Sequence, residues 1–510
     1  MRRFLAALLA VLMLLPLASC ETDDDLAELP VSVEPSAEPS TTPNIVIPVG
    51  PASVEAFGVA YSSTATLNPI TGQSRLNLEL APLMYQGLFR ISPEFEAEAV
   101  LCTNATHSGE VWTFKLKRGV KMSDGEALTS ADVKYSIDLA RTSDRYSARL
   151  SMVRLVETPD DSTVLITTNG VYGRLELLLD IPVIRADSGE DYAPVGSGLY
   201  EYVDAGDESY LRVASSHRGE GSIARIQLID TPAAELMISN FEQGLVSVTS
   251  RYATATDRID YGGDYEEWNF PTTNMIYLCF GSRYASELNA ILSDAVDRET
   301  VAEFDLFGYA DAADSAANPH SAIGAQPDEF SLERSAEKLE SLGAVVGEDG
   351  VLELGRNRLS LRLIVPEEND CKLAAAERIA EDWRQLGIDV TLDALSFAEF
   401  KTALTSGNFD AALCETRLRA DFSLDALLGA GGSLNFGRHY SEELETLLAN
   451  FNAADAEGIE RAADALYRYI DEYAPIAPIA FTRGSLIARR GEVGAPDPSA
   501  SDLYRGVESW

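Results

Sequence analysis

Residues 359–414, LSLRLIVPEENDCKLAAAERIAEDWRQLGIDVTLDALSFAEFKTALTSGNFDAALC, switch back and forth between two hydrophobic periods. Leu359, Leu361, Leu363 and Val365 recur at every second position, the period of a strand with one buried face. Leu373, Ala376, Ile379, Ala380, Trp383 and Leu386 then fall on one side of a 3.6-residue helix, which Gly387 stops. Ile388, Val390 and Leu392 start a second strand. Ser396 with Glu399 three residues on forms a capping box, opening a helix that runs to Gly407, and 409–414 is a third strand. Strand–helix–strand–helix–strand predicts an α/β lobe in which right-handed crossovers join parallel strands.

The remaining sequence is too long for one such lobe. A chain of 510 residues exceeds what a single core holds, so two or more lobes are expected. Upstream, 112–117 alternates as a strand and Asp124-Gly125 marks a tight turn. Thr129 and Asp132 then form a capping box that opens a helix with Val133, Ile137 and Ala140 on its apolar stripe. Downstream, helices are expected near 441–451 and 455–473, before Pro475 breaks the pattern. No internal repeat is evident.

The first 52 residues carry no such pattern. Met1-Arg2-Arg3 is followed by an apolar run over 4–18, interrupted only by Pro16. The run is shorter than the ~20 residues a membrane-spanning helix needs, and has the proportions of a secretory signal. It ends in Leu17-Ala18-Ser19-Cys20, which resembles a bacterial lipobox and marks Cys20 for lipidation after cleavage before it. Residues 21–52 are rich in Pro, Ser, Thr and Glu and read as a tether that cannot bury a core. This arrangement predicts an extracytoplasmic protein anchored to the cell membrane by an N-terminal lipid.

Composition narrows the function. Forty basic residues against 81 acidic ones give a net charge of −41, a field that repels phosphate backbones and argues against nucleic acid as a partner. The five cysteines, Cys20, Cys102, Cys279, Cys371 and Cys414, show no zinc or redox spacing. Cys279 and Cys414 read as buried small hydrophobes, and the sequence does not pair Cys102 or Cys371. His107, His217, His320 and His439 are scattered, so no metal ligand set is indicated. Neither a nucleophile elbow nor a phosphate-binding P-loop occurs, so no enzyme activity and no cofactor is expected.

Several segments together resemble the extracytoplasmic solute-binding proteins, family 5, that serve peptide and nickel importers of the ABC type. The most telling is WTFKLKRGVKMSDGEALTSADVKYS at 112–136, with LNP at 67–69, YQGLF at 85–89, GSGLY at 196–200, AVDR at 295–298, the run to Cys414 and API at 477–479 in the family's order. The resemblance implies a two-lobed, periplasmic-binding-protein-like clamshell of class II type. The N-terminal lobe spans 53–272 with an extra subdomain at about 88–193, the C-terminal lobe spans 273–478, and 479–510 returns to the first lobe. It implies a monomer that closes on a peptide and delivers it to an ABC permease. The alternatives are another cargo on the same fold (nickel chelate, haem, oligosaccharide) or a surface receptor without transport.

The resemblance also implies binding residues. Asp421 falls on the position that accepts a peptide's α-amino group, and Arg417, Leu418 and Arg419 fall on a stretch whose backbone pairs with the peptide as an added strand. Either arginine, if it points inward, suits a ligand carboxylate. Asn435 and Tyr440 match a second segment lining the cleft; Tyr146 and, more distantly, Tyr61 stand where some members place an aromatic ring. The sequence departs from the pattern at Leu418, where an aromatic residue is common, and at Ser423-Leu424-Asp425, where the family has Asp-Pro.

Overall fold

The structure, a computed structural model, describes residues 57–510. The signal segment 1–20 with Cys20, the tether 21–52 and the start of the first lobe lie outside the described residues.

Two long strands organise the molecule. Tyr265–Phe280 has 16 residues and Ile476–Arg489 has 14. At ~3.3 Å per residue each is long enough to run through two lobes. They pair antiparallel with each other along most of their length. At one end Ile476–Arg489 pairs with Val248–Arg251, which leads through Phe57–Tyr61, Arg225–Asp230 and Ser209–Val213 to Tyr200–Asp204. At the other end Tyr265–Phe280 pairs with Ala411–Arg417, followed by Ser360–Pro366 and Asp389–Leu395. One sheet therefore serves both lobes of a clamshell.

The pairing slips where the strands pass from lobe to lobe, between Pro271 and Met275 and again at Ile276 and Tyr277. Proline has no N–H to give a ladder, and a bulge bends the strand that carries it. The Thr272 hydroxyl donates to the Thr482 carbonyl at 2.6 Å, and the buried Asn318 amide donates to the Thr272 carbonyl at 2.9 Å, so side chains satisfy this irregular backbone. Ile479 and Ala480 still pack in the second lobe's core, so the return strand leaves that lobe beyond the expected 479.

The α/β run forms as its two periods require. Ser360–Pro366 pairs parallel with Asp389–Leu395 on one side and, at Leu363 and Ile364, with Ala411 and Ala412 on the other. The helix Asp370–Gln385 links the first two strands, and its Trp383 is fully buried with its indole N–H on the Leu292 carbonyl at 3.0 Å. The capping box at Ser396 and Glu399 is present, and that helix, Phe397–Ser406, ends on Gly407 at φ 72°. Ser441 caps Glu442–Ala453, and Ile459–Tyr473 follows. Ala295–Arg298 sits at the junction of two helices, where Asp297 caps the second by accepting from the Thr300 amide.

The subdomain is a four-stranded antiparallel sheet, Cys102–Ser108, Val111–Leu116, Thr163–Thr168 and Val153–Asp160, covered by the helix Ser130–Ala140. The Thr129–Asp132 capping box starts that helix. The sheet shares its core with the first lobe. The second lobe packs apolar side chains on both sheet faces, and one of these cores takes in Ile91, Phe95 and Leu177 from the subdomain. The two halves of the clamshell therefore touch through an apolar seam.

Polar contacts cross between the halves beside the crossing strands and at the subdomain. Beside the crossing strands, the Asn369 side chain donates to the Thr254 carbonyl at 3.0 Å. At the subdomain, the Gly173 amide donates to the Asn452 carbonyl at 2.9 Å. A Cβ on Gly173 would stand 2.2 Å from the Ala454 carbonyl oxygen, so only glycine permits this approach. Its obstacles all belong to the opposite half. Gly173→Ala is therefore expected to keep the folded lobes but hold them apart. Small-angle X-ray scattering should show a larger radius of gyration than the parent; an unchanged radius would mean that this contact does not set the closed spacing.

Candidate functional site: the seam between the lobes

Asp421 lies just beyond the end of the strand Ala411–Arg417, where the chain leaves the sheet in a tight turn closed by the Phe422 amide on the Arg419 carbonyl at 2.9 Å. Phe422 holds φ 55°, a left-handed conformation that costs a non-glycine residue roughly 1–2 kcal/mol. Its buried ring offsets that cost by packing edge-on against Phe95 of the subdomain at 5.0 Å and Phe481 at 6.1 Å. The turn is thus locked by aromatic packing, and it aims the neighbouring carboxylate into the seam.

The Asp421 side chain is 1% exposed. Its Oδ1 receives Arg419 Nε at 3.3 Å and the Ser423 amide at 3.2 Å, both from its own lobe. Its Oδ2 accepts from the Tyr172 hydroxyl, which arrives from the subdomain. Arg419 Nη2 also donates to that hydroxyl at 3.0 Å. Burial alone would raise the Asp421 carboxyl; the Arg419 and Arg174 guanidiniums, the Tyr172 hydroxyl and the Ser423 amide outweigh it and hold the group below the usual carboxylate range. Burial, reinforced by the Asp421 charge, pushes the Tyr172 phenol well above its ordinary value, so it stays a donor.

The subdomain places Tyr172 through its sheet. The Trp112 indole donates to the Tyr172 carbonyl at 2.8 Å, and Trp112 is itself stacked on Phe114 and His107. Arg174, buried, lies 4.9 Å above the Phe451 ring of the second lobe. Tyr172, Gly173 and Arg174 thus all reach across the seam. None of the three was among the expected binding residues, although the segment follows a strand and carries an aromatic, a glycine and an arginine in succession.

The structure brings some expected residues together and leaves others apart. Asp421 and Arg419 are paired. Arg417 ends its strand opposite Asn274 with an exposed side chain. Leu418 is buried in the seam core, and its amide donates to the Thr273 carbonyl at 2.9 Å, so that N–H is already committed within the lobe. Tyr146 is buried, with the guanidinium carbons of Arg145 and Arg149 at 5.4 Å and 5.9 Å from its ring centre. Tyr61 is buried in the first lobe's core. Asn435 uses its side chain on its own loop, donating to the His439 carbonyl at 2.9 Å and accepting the His439 amide at 3.1 Å. Tyr440 is 64% exposed, and among the described residues no hydrogen bond or ring contact ties it or Asn435 to Asp421. Cys102, Cys279, Cys371 and Cys414 are all buried and unpaired.

The description "bacterial extracellular solute-binding proteins, family 5 Middle" matches residues 99–427. This chain belongs to that family. Among curated relatives, the glutathione-binding protein GsiB of Salmonella choleraesuis (strain SC-B67) is 29% identical over 166 residues, covering 30% of this chain and 32% of that one. The match thus spans about a third of the relative's length. Among solved structures, the unliganded open form of the periplasmic murein tripeptide binding protein MppA matches with a TM-score of 0.72 at 16% identity, covering 86% of this chain and 94% of that one. HbpA2 from Haemophilus parasuis matches with a TM-score of 0.72 at 18% identity, over 89% and 99%. Both extend the family's two-lobed fold over nearly all the described residues. Among those residues no helix is long and apolar enough to cross a membrane.

The network predicts a large difference between two substitutions. Asp421→Ala strands the half-buried Arg419 and the buried Arg174, a loss of about 3–5 kcal/mol. Asp421→Asn keeps the shape and part of the hydrogen bonding and should cost less. Because the folded carboxyl titrates below its unfolded value of about 3.9, its contribution is present above that pH and fades as pH falls through the folded value. Urea unfolding near pH 7 should rank parent, Asn variant and Ala variant in that order, and the parent's advantage should vanish in strong acid. Equal midpoints at neutral pH would contradict the network.

Proposed function

We propose that this protein is the extracytoplasmic receptor of an ABC importer, working as a monomer that captures a short peptide between its lobes and presents it to the permease. It performs no chemistry on its ligand. The observation that carries this reading is the asymmetry of Asp421. One oxygen is held by its own lobe, through Arg419 and Ser423, and among the described residues the other accepts only from Tyr172 across the seam. Parting the lobes withdraws Tyr172 and leaves Oδ2 facing the cleft as an acceptor, and closing them over a ligand excludes water again. A peptide's ammonium takes the place of the hydroxyl, with a charge-assisted bond that is stronger than a neutral one.

The neighbouring strand supports the same reading. Ala411–Arg417 is paired with Ser360–Pro366 only at its first two residues, and among the described residues no strand pairs that edge farther along. A peptide can add there through its backbone, near Arg417 and Arg419, which accepts many sequences because main-chain pairing reads no side chains. The names of the similar proteins, one binding glutathione and one a murein tripeptide, concern ligands of this size. We further propose that Cys20 carries the lipid that keeps the receptor at the membrane, with 21–52 as its tether.

Isothermal titration of the full chain with di-, tri- and pentapeptides tests the assignment. Asp421→Asn is expected to weaken peptide binding at least tenfold while circular dichroism stays unchanged, because the amide cannot neutralise an ammonium. Peptides bound as tightly by Asp421→Asn as by the parent would remove Asp421 from the ligand site. Cleaved peptides recovered from the titration would point to an enzyme instead.

A further inference from the structure

Two phenylalanines that meet at the seam share the same unfavourable backbone. Phe95 holds φ 62° and Phe422 holds φ 55°. This is the left-handed region, in which a residue with a Cβ is strained and glycine is not. The two come from opposite halves, and their rings meet edge-on at 5.0 Å. Both rings are buried. Glycine would take either conformation freely; what phenylalanine adds at both positions is a ring.

The two turns differ in their support. Phe95 stands at the tip of the hairpin formed by Phe89–Ile91 and Ala97–Ala99. Its amide donates to the Ser92 carbonyl at 3.0 Å, and the Ser92 hydroxyl accepts from the Glu94 and Glu96 amides at 3.2 Å. Arg90 and Arg505 each donate to Glu98 at 2.9 Å, and the Ser501 hydroxyl donates to the Ile91 carbonyl at 3.1 Å. Arg505 and Ser501 belong to the C-terminal segment, which packs in the first lobe's core, so this hairpin is braced from its own half. The Phe422 turn is held from its own half by the Phe422 amide on the Arg419 carbonyl and the Ser423 amide on Asp421. Phe481, at 6.1 Å, sits on the long strand opposite Met275, where the ladder resumes after its slip. The nearer ring against Phe422 belongs to the other half.

We propose that Phe95 is a positioning residue for ligand capture: from across the seam it holds Phe422 left-handed, and so aims the Asp421 carboxylate when the halves close and releases it when they open. Parting the halves removes the nearer ring and leaves the strain at Phe422 without its offset. The turn then relaxes towards extended backbone. That breaks the bond from Phe422 to Arg419 and moves Asp421 away from the Ser423 amide. The grip on a ligand is therefore completed by closure and undone by opening, as unloading requires. The ligand's class rests on the peptide-receptor reading; the aiming of the carboxylate does not.

Calorimetry and hydrogen exchange on the full chain test this, with trialanine as the probe. Phe95→Leu keeps an apolar filling and removes the ring. It is expected to bind trialanine about fivefold more weakly and, at saturating trialanine, to exchange the amides of 419–423 faster than the parent by a similar factor. Leu177→Ala, in the short helix Leu175–Leu178 of the same subdomain, also thins the seam core but should leave that exchange at the parent's rate. Phe422→Gly removes the need for a ring, because glycine holds the turn without strain. In that background Phe95→Leu should cost no further affinity, so the two substitutions are not additive.

The same loss of affinity from Phe95→Leu in both backgrounds, or unchanged exchange over 419–423, would reduce Phe95 to seam filling and overturn the proposal, leaving the peptide receptor standing. If Phe422→Gly does not fold, the exchange measured in Phe95→Leu decides alone. A parent that binds no trialanine would overturn the peptide reading instead, and the same exchange comparison without ligand then decides the role of Phe95.

Discussion

Two strands have to serve two lobes at once. Tyr265–Phe280 and Ile476–Arg489 each contribute one end to the first lobe's sheet and the other to the second's. A strand resists stretching but bends readily where its ladder is interrupted. The interruption at Pro271–Met275 is therefore the natural place for the lobes to pivot. The remaining features follow from that arrangement.

The seam between the halves combines two kinds of contact with different costs. Ile91, Phe95 and Leu177 meet Leu418, Phe422 and Phe451 through non-directional apolar packing, which reforms easily after water has entered. Asp421, Arg419, Arg174 and Tyr172 form a polar cluster in which every member depends on the others. A buried ion pair contributes little net stability compared with an apolar filling, yet is costly to break by halves. Such a cluster is better suited to choosing a ligand than to holding the lobes shut. Under the proposed function, a guest that replaces Tyr172 with a better donor keeps the cluster satisfied and gains the enclosure as well.

Most of the fold was legible in the sequence because it depends on period and capping. The run from Leu359 to Cys414 alternates between strand and helix spacing so regularly that its parallel pairing follows, and the capping boxes at Thr129 and Ser396 formed as read. The site was legible only in part. Asp421 and Arg419 could be named, but not their pairing, because that depends on a left-handed Phe422 whose packing partners, Phe95 and Phe481, are distant in sequence. Tyr172 and Arg174 were missed since their roles exist only once the halves meet. Asn435 and Tyr440 illustrate the converse, a motif whose residues close a loop or stand in solvent.

The account's central claim is that ligand capture and lobe closure are one event. Spin labels at two exposed positions on opposite halves, Glu157→Cys and Glu457→Cys, report the gap directly by pulsed electron resonance. A saturating peptide should collapse a broad distance distribution to a single short one. An identical distribution with and without a peptide that calorimetry shows to be bound would contradict the account.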